Sequence, residues 1–123
     1  MDANTKRINH IKVKNTISNL EKNNIKAVYV ETKEEALTLF KTMVHPGSYT
    51  ATGGSMTLRD TGIIDYLMSD TDYHKEYKDA YDASFYVLSA NAITENGEIF
   101  QVDGRSNRVS AMLFGPEKVI IVA

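Results

Sequence analysis

The architecture of this 123-residue chain turns on Ser48-Tyr49-Thr50-Ala51-Thr52-Gly53-Gly54-Ser55-Met56-Thr57-Leu58. Residues 48–52 read as a strand because they lie between a helix that must stop before Pro46-Gly47 and a glycine pair that lets the backbone turn sharply. From Leu58 the apolar residues fall on one helical face, with Ile63, Ile64 and Leu67 continuing it in broken form around Gly62. A strand, a glycine turn and a helix in that order are the repeating junction of a parallel α/β sheet.

Working outward, the same alternation extends in both directions. Upstream, Ile8, Ile11, Ile17 and Leu20 recur near helical spacing over residues 4–22 until Asn23-Asn24 interrupts them. Ile25-Lys26-Ala27-Val28-Tyr29-Val30 reads as a strand from its β-branched and aromatic content. Thr32 with Glu35 forms a capping box ahead of a helix that buries Leu37, Phe40 and Val44. Downstream, Tyr73, Tyr77 and Tyr81 repeat at four-residue steps as a packing stripe, and Phe85-Tyr86-Val87-Leu88 reads as a buried strand. Asn96-Gly97 and Asp103-Gly104 are turn dipeptides that bracket a short strand or hairpin arm at 98–102. Val109, Met112 and Leu113 mark a short helix stopped by Gly115-Pro116, and Lys118-Val119-Ile120-Ile121-Val122 is the clearest strand in the chain.

The fold class expected is therefore α/β: a single, mostly parallel sheet flanked by helices, with a short hairpin-like arm near residues 96–104. One domain should cover 1–123, opened by the helical segment 4–22. The last strand is hydrophobic enough for a sheet interior, yet no helix follows to cover it. That predicts a homo-oligomer, or a chain that is a fragment of a longer protein.

Composition narrows the function. Hydrophobic residues at 42% and charged residues at 24% are those of a folded globular chain. Fourteen basic against sixteen acidic residues, with no long single-sign block, argue against nucleic acid as a partner. There is no cysteine, so neither a thiolate zinc site nor an iron–sulfur cluster can be built from this chain's own residues. A polar amino terminus unlike a secretory signal and the absence of any apolar run near the roughly 20 residues of a membrane helix predict a cytoplasmic protein with no membrane partner.

Three segments can carry chemistry. In the loop Gly53-Gly54-Ser55-Met56-Thr57, free amides with the Ser55 and Thr57 hydroxyls can donate to an anion; equally, the glycines can simply make a tight turn while Ser55 or Thr57 caps the helix. Ser89 to Gly97 follows a strand, where ligands of open α/β sheets gather, so Asn91 could orient a ligand and Glu95 could act as a base, or both could be turn and surface residues. Ahead of the short helix, Arg108 beside Asn107 could pair with a carboxylate or phosphate, or brace Asp103 or Glu95. His10, His45 and His74 share no metal-ligand spacing and read as surface residues, so no metal site is expected. A Walker loop, a dinucleotide fingerprint and a hydrolase elbow are all missing, and no cofactor is expected.

Taken together, Gly53-Gly54-Ser55-Met56-Thr57-Leu58, Gly62-Ile63-Ile64-Asp65, Ser89-Ala90-Asn91-Ala92-Ile93, Glu95-Asn96-Gly97, Asp103-Gly104 with Asn107-Arg108-Val109, and Gly115-Pro116 resemble, in order, the LUD domain of lactate-utilisation proteins, in particular lactate-utilisation protein C. The resemblance runs from about Lys33 to the end. It implies a fold related to the ribose-phosphate isomerase, coenzyme A transferase and formyltetrahydrofolate cyclo-ligase group, whose members bind phosphates or carboxylates at strand ends. It also implies a non-redox accessory or ligand-binding role in oxidising lactate to pyruvate, beside iron–sulfur protein partners. The alternative is an isomerase- or transferase-like enzyme acting on a phosphorylated or acyl small molecule, with Glu95 or Asp103 as base. Against the family pattern, Met68 to Ala83 is short and many members continue beyond the position of Ala123, so a shortened or truncated form of the domain is expected.

Overall fold

The computed structural model describes residues 3–53, 55–75, 77–90, 92–101, 112 and 115–123. In chain order these form α1 (Ala3–Lys22), α2 (Lys33–Met43), β1 (Tyr49–Thr52), α3 (Met56–Asp60), α4 (Ile63–Asp70), β2 (Asp72–His74), a 3-10 turn (Tyr77–Asp82), β3 (Phe85–Leu88), β4 (Ala92–Ile93), β5 (Ile99–Phe100) and β6 (Lys118–Ile121). Four strands make one all-parallel sheet in the order β2-β1-β3-β6, while β4 and β5 pair separately as an antiparallel hairpin. The α/β fold with a hairpin arm is the one the sequence implies.

Strand alternation sorts the core into two layers. Thr50, Tyr73, Phe85, Val87 and Ile120 share the face covered by α2, α3 and α4, where Phe40, Val44, Leu58, Ile63 and Leu67 are buried. Tyr49, Ala51, Tyr86, Leu88 and Val119 share the other face, packed with Ala80, Ala83 and Met112. The small Ala51, Ala80 and Ala83 side chains let the 3-10 turn lie close to the sheet. In the helical layer the Tyr66 ring meets Phe40 edge-on at 6.1 Å, and its hydroxyl donates to the Val44 carbonyl at 2.6 Å. A buried phenol thus keeps its polar end satisfied.

Local signals explain the element ends. Thr32 Oγ accepts from Glu35 N at 3.1 Å, and the Glu35 carboxylate accepts from Glu31 N at 3.2 Å, one residue outside the usual capping box. Asn24 in the left-handed region (φ 64°) follows the end of α1. Gly62 at φ 81° breaks the helical face into α3 and α4, a conformation that side-chain-bearing residues rarely adopt.

Three expectations need correction. Residues 25–30 form no strand: they carry no regular secondary structure, with Val28 and Tyr29 exposed. Their composition favours a strand, but among the described residues no strand pairs with them to supply the ladder that would make them one. Conversely Asp72–His74, read as the start of a tyrosine stripe, is an edge strand paired with β1, so Tyr73 leaves the helical periodicity assumed for it. Lastly, β6 lies at the edge of the described strands, beside β3, where a sheet interior was expected. The turn at Asp103-Gly104 and the short helix expected at Val109 and Leu113 lie outside the described residues.

Candidate functional site

All four strands of the parallel sheet point the same way, so the segments that leave their carboxyl ends emerge on one edge. Gly53 and Ser55 leave β1 there, and Ser89 and Ala90 leave the adjoining β3. The two exits are tied together, since Gly53 N donates to the Val87 carbonyl at 3.0 Å. At its far end the loop is fixed by Ser55, whose Oγ accepts from Leu58 N at 3.1 Å and caps α3. The cap engages the hydroxyl as an acceptor and leaves its proton able to donate elsewhere. Thr57 sits in the first turn of α3, where its carbonyl accepts from the Thr61 amide and hydroxyl. Across the edge, Gln101 Nε2 donates to the Ser89 carbonyl at 2.9 Å and holds the end of the hairpin against the exit of β3.

Of the two acids considered as bases, Glu95 is exposed on the hairpin turn and engaged by α1. Asn15 Nδ2 donates to its carboxylate at 3.1 Å and Asn19 Nδ2 to its carbonyl at 2.8 Å, while Asn23 Nδ2 donates to the Gly97 carbonyl at 3.0 Å. Asn15 and Asn19 lie one helical turn apart on α1 and Asn23 follows in the turn that ends it, so the three present a row of amides that clasps the hairpin turn. The four-residue repeat was visible in the sequence, but its partner, 74 to 80 residues away, was not. Gly54, Asn91, Asp103, Asn107 and Arg108 lie outside the described residues.

A second grouping escaped the sequence reading. His74, taken for a surface residue, is half-buried, with its ring stacked on Tyr49 at 4.0 Å and 8° between planes. Its Nε2 lies 3.2 Å from Asp72 Oδ1 without hydrogen-bonding geometry, and its Nδ1 lies 3.6 Å from Asp79 Oδ2. The Tyr49 hydroxyl donates to the Asp79 carbonyl at 2.9 Å. Burial foremost, and then the charges of Asp79, Asp82 and Asp72, raise the Tyr49 pKa above the ordinary 10.0. Among the described residues no group of three or more His, Cys, Asp or Glu side chains could hold a metal ion.

Residues 13–123 match the family model of the LUD domain. The chain belongs to this family. Comparison with curated proteins and with solved structures gives no match. Within the LUD domain the matched stretch takes in the whole parallel sheet, the glycine loop and the asparagine row, and it begins midway along α1. Membership carries a lactate-utilisation-associated role at the level of the family. Among the described residues no helix is long and apolar enough to cross a membrane.

Proposed function

We propose that this LUD domain is a non-redox, ligand-binding component of lactate utilisation, working in the cytoplasm beside iron–sulfur proteins that oxidise lactate to pyruvate. Oxidising the hydroxyl of lactate to a ketone removes two electrons and two protons, and a chain without cysteine supplies no thiolate ligands for a cluster to take them. Its own contribution is to hold a small carboxylate or phosphate. The observation that carries this reading is the pinned glycine loop at the carboxyl edge of a parallel sheet, with Gly53 bonded to Val87 and Ser55 capping α3. In this reading Gly53, its amide held by Val87, sets the turn and lets the backbone approach closely, Gly54, Ser55 and Thr57 offer amides and hydroxyls to the anion, Asn91 and Asn107 orient it, and Arg108 supplies the countercharge.

A thermal-shift screen of the purified chain against lactate, pyruvate, inorganic phosphate, sugar phosphates and coenzyme A esters tests it. A ligand at 100 times its Kd adds about 2.7 kcal/mol to folded-state stability, a shift of several degrees in a domain of this size. Stabilisation by lactate or pyruvate is the expected outcome. Stabilisation confined to sugar phosphates or acyl esters would replace it with an isomerase- or transferase-type activity, with Glu95 or Asp103 as base.

A further inference from the structure

We propose that the Thr52–Tyr73 hydroxyl pair is a ligand subsite on the carboxyl edge of the sheet, where it takes the oxygen next to the carboxylate of a small 2-hydroxy or 2-oxo acid. The assignment rests on the carboxylate-binding reading above and adds β2 as a third strand contributing to the site. Thr50 and Thr52 lie on one face of β1, and Tyr73 stands opposite Thr50 in the register of the adjoining β2. The Tyr73 hydroxyl nevertheless meets Thr52 Oγ, at 2.9 Å, two residues further along β1. At about 3.3 Å per residue, the phenol reaches roughly 7 Å along the strand toward the carboxyl edge. His74, the next residue, leans the other way: it stands opposite Ala51 yet stacks on Tyr49. Of the two rings of β2, Tyr73 is the one that arrives where Gly53 follows Thr52.

A second hydroxyl pair, deeper on the same face, supplies the contrast. Thr50 and Thr71 meet at 2.8 Å, and Thr71 Oγ donates onward to the Leu67 carbonyl at 2.6 Å. Thr50 is then the donor within that pair, and both protons end on protein oxygens, as full burial of Thr50 requires. The outer pair has two protons and a single bond between its hydroxyls, and among the described residues no further acceptor meets either one. One O–H is therefore left to donate outward. Thr52, Gly53 and Tyr73 are half-buried, so a ligand at the edge can reach it. The pair is uncharged and both donates and accepts, which suits a hydroxyl or keto oxygen, while the anion itself goes to the glycine loop. Consecutive Cα atoms lie about 3.8 Å apart, so Thr52 and the loop that begins at Gly53 can serve adjacent carbons of one small acid.

Isothermal titration of the full chain with lactate and with propionate tests the subsite, because propionate is lactate without its 2-hydroxyl. The wild type should prefer lactate by roughly 2- to 12-fold in Kd, the worth of one uncharged hydrogen bond. Tyr73→Phe and Thr52→Val should each bring the ratio of the two Kd values to about one, with propionate affinity unchanged, since each removes one hydroxyl of the pair. A ratio taken on one protein sample is independent of the fraction folded, and thermal unfolding checks each variant's fold. Thr50→Val removes a hydroxyl from the inner pair instead and should keep the wild-type ratio. Equal binding of the two acids by the wild type, a preference that survives in either Tyr73→Phe or Thr52→Val, or a preference lost in Thr50→Val as well would overturn the subsite and leave carboxylate binding standing. A wild type that binds neither acid would overturn the carboxylate-binding reading, and the subsite with it.

Discussion

Tyr66 and Tyr49 lie on opposite faces of the sheet, and both hold their protons more firmly than a free phenol. For Tyr66 the cause is burial and then the charge of Asp70; for Tyr49 it is burial and then three aspartates. A folded-state pKa raised above the unfolded value favours the protonated form in the fold. The associated stability is therefore intact below pH 10 and is lost as the pH rises through the folded-state values. Urea unfolding at successive alkaline pH values should show this decline, and the Tyr49→Phe, Tyr66→Phe double variant should flatten it. At neutral pH, Tyr66→Phe alone should cost about 1 kcal/mol, because the Val44 carbonyl loses the donor that meets it at 2.6 Å. At this scale the sequence speaks clearly where the determinant is local: Thr32 with Glu35, Gly62, and Ser55 as a cap all act through neighbours within four residues. His74 was opaque for the opposite reason. Its stacking on Tyr49 depends on the register of β2 against β1, which brings together residues 25 apart in the chain.

Between elements, the hairpin and α1 meet at a point with no spare room. A Cβ on Gly97 would lie 2.6 Å from the Asn19 carbonyl carbon and 2.7 Å from its oxygen, and the φ of 84° disfavours a side chain independently of space. Gly97→Ala should therefore push the turn away from α1 and break the Asn19 and Asn23 bonds together. Hydrogen exchange would register this as faster exchange in the hairpin and the second half of α1, with β1 and β3 unchanged. Asn19→Ala removes one donor without a clash, so a loss of only about 0.5–1.5 kcal/mol is expected in equilibrium unfolding. The same scale shows which strands a sequence can announce. Phe85–Leu88 and Lys118–Ile121 are apolar runs and were legible, because their burial is written into their composition. Residues 25–30 look equally strand-like, yet among the described residues no strand pairs with them. Asp72–His74 looks polar but gains a partner in β1, so pairing overrides composition in both cases.

At the scale of the molecule, a parallel sheet concentrates the exits of neighbouring strands on one edge, which is why order alone places the glycine loop beside the exit of β3. Which side chains complete a site there depends on loop conformations that periodicity does not encode, and Glu95 illustrates the consequence. Its position after a strand suits a base, while its carboxylate accepts from Asn15 in the clasp with α1. Two variants separate a binding role from a catalytic one. Glu95→Gln keeps an amide oxygen for Asn15, so the clasp and the melting temperature should be preserved. In a ligand-binding component the affinity for lactate or pyruvate should be unchanged as well, whereas a catalytic base would lose turnover with binding intact. Arg108→Ala should act in the reverse sense. Loss of a charge-assisted hydrogen bond to a carboxylate costs about 1.5–3 kcal/mol, or roughly 10- to 150-fold in Kd. Isothermal titration of both variants with the ligand found by thermal shift should therefore show a weakened Arg108→Ala and an unaltered Glu95→Gln. Equal affinity in wild type and Arg108→Ala would remove that arginine from the site, and lost turnover in Glu95→Gln would make the chain an enzyme.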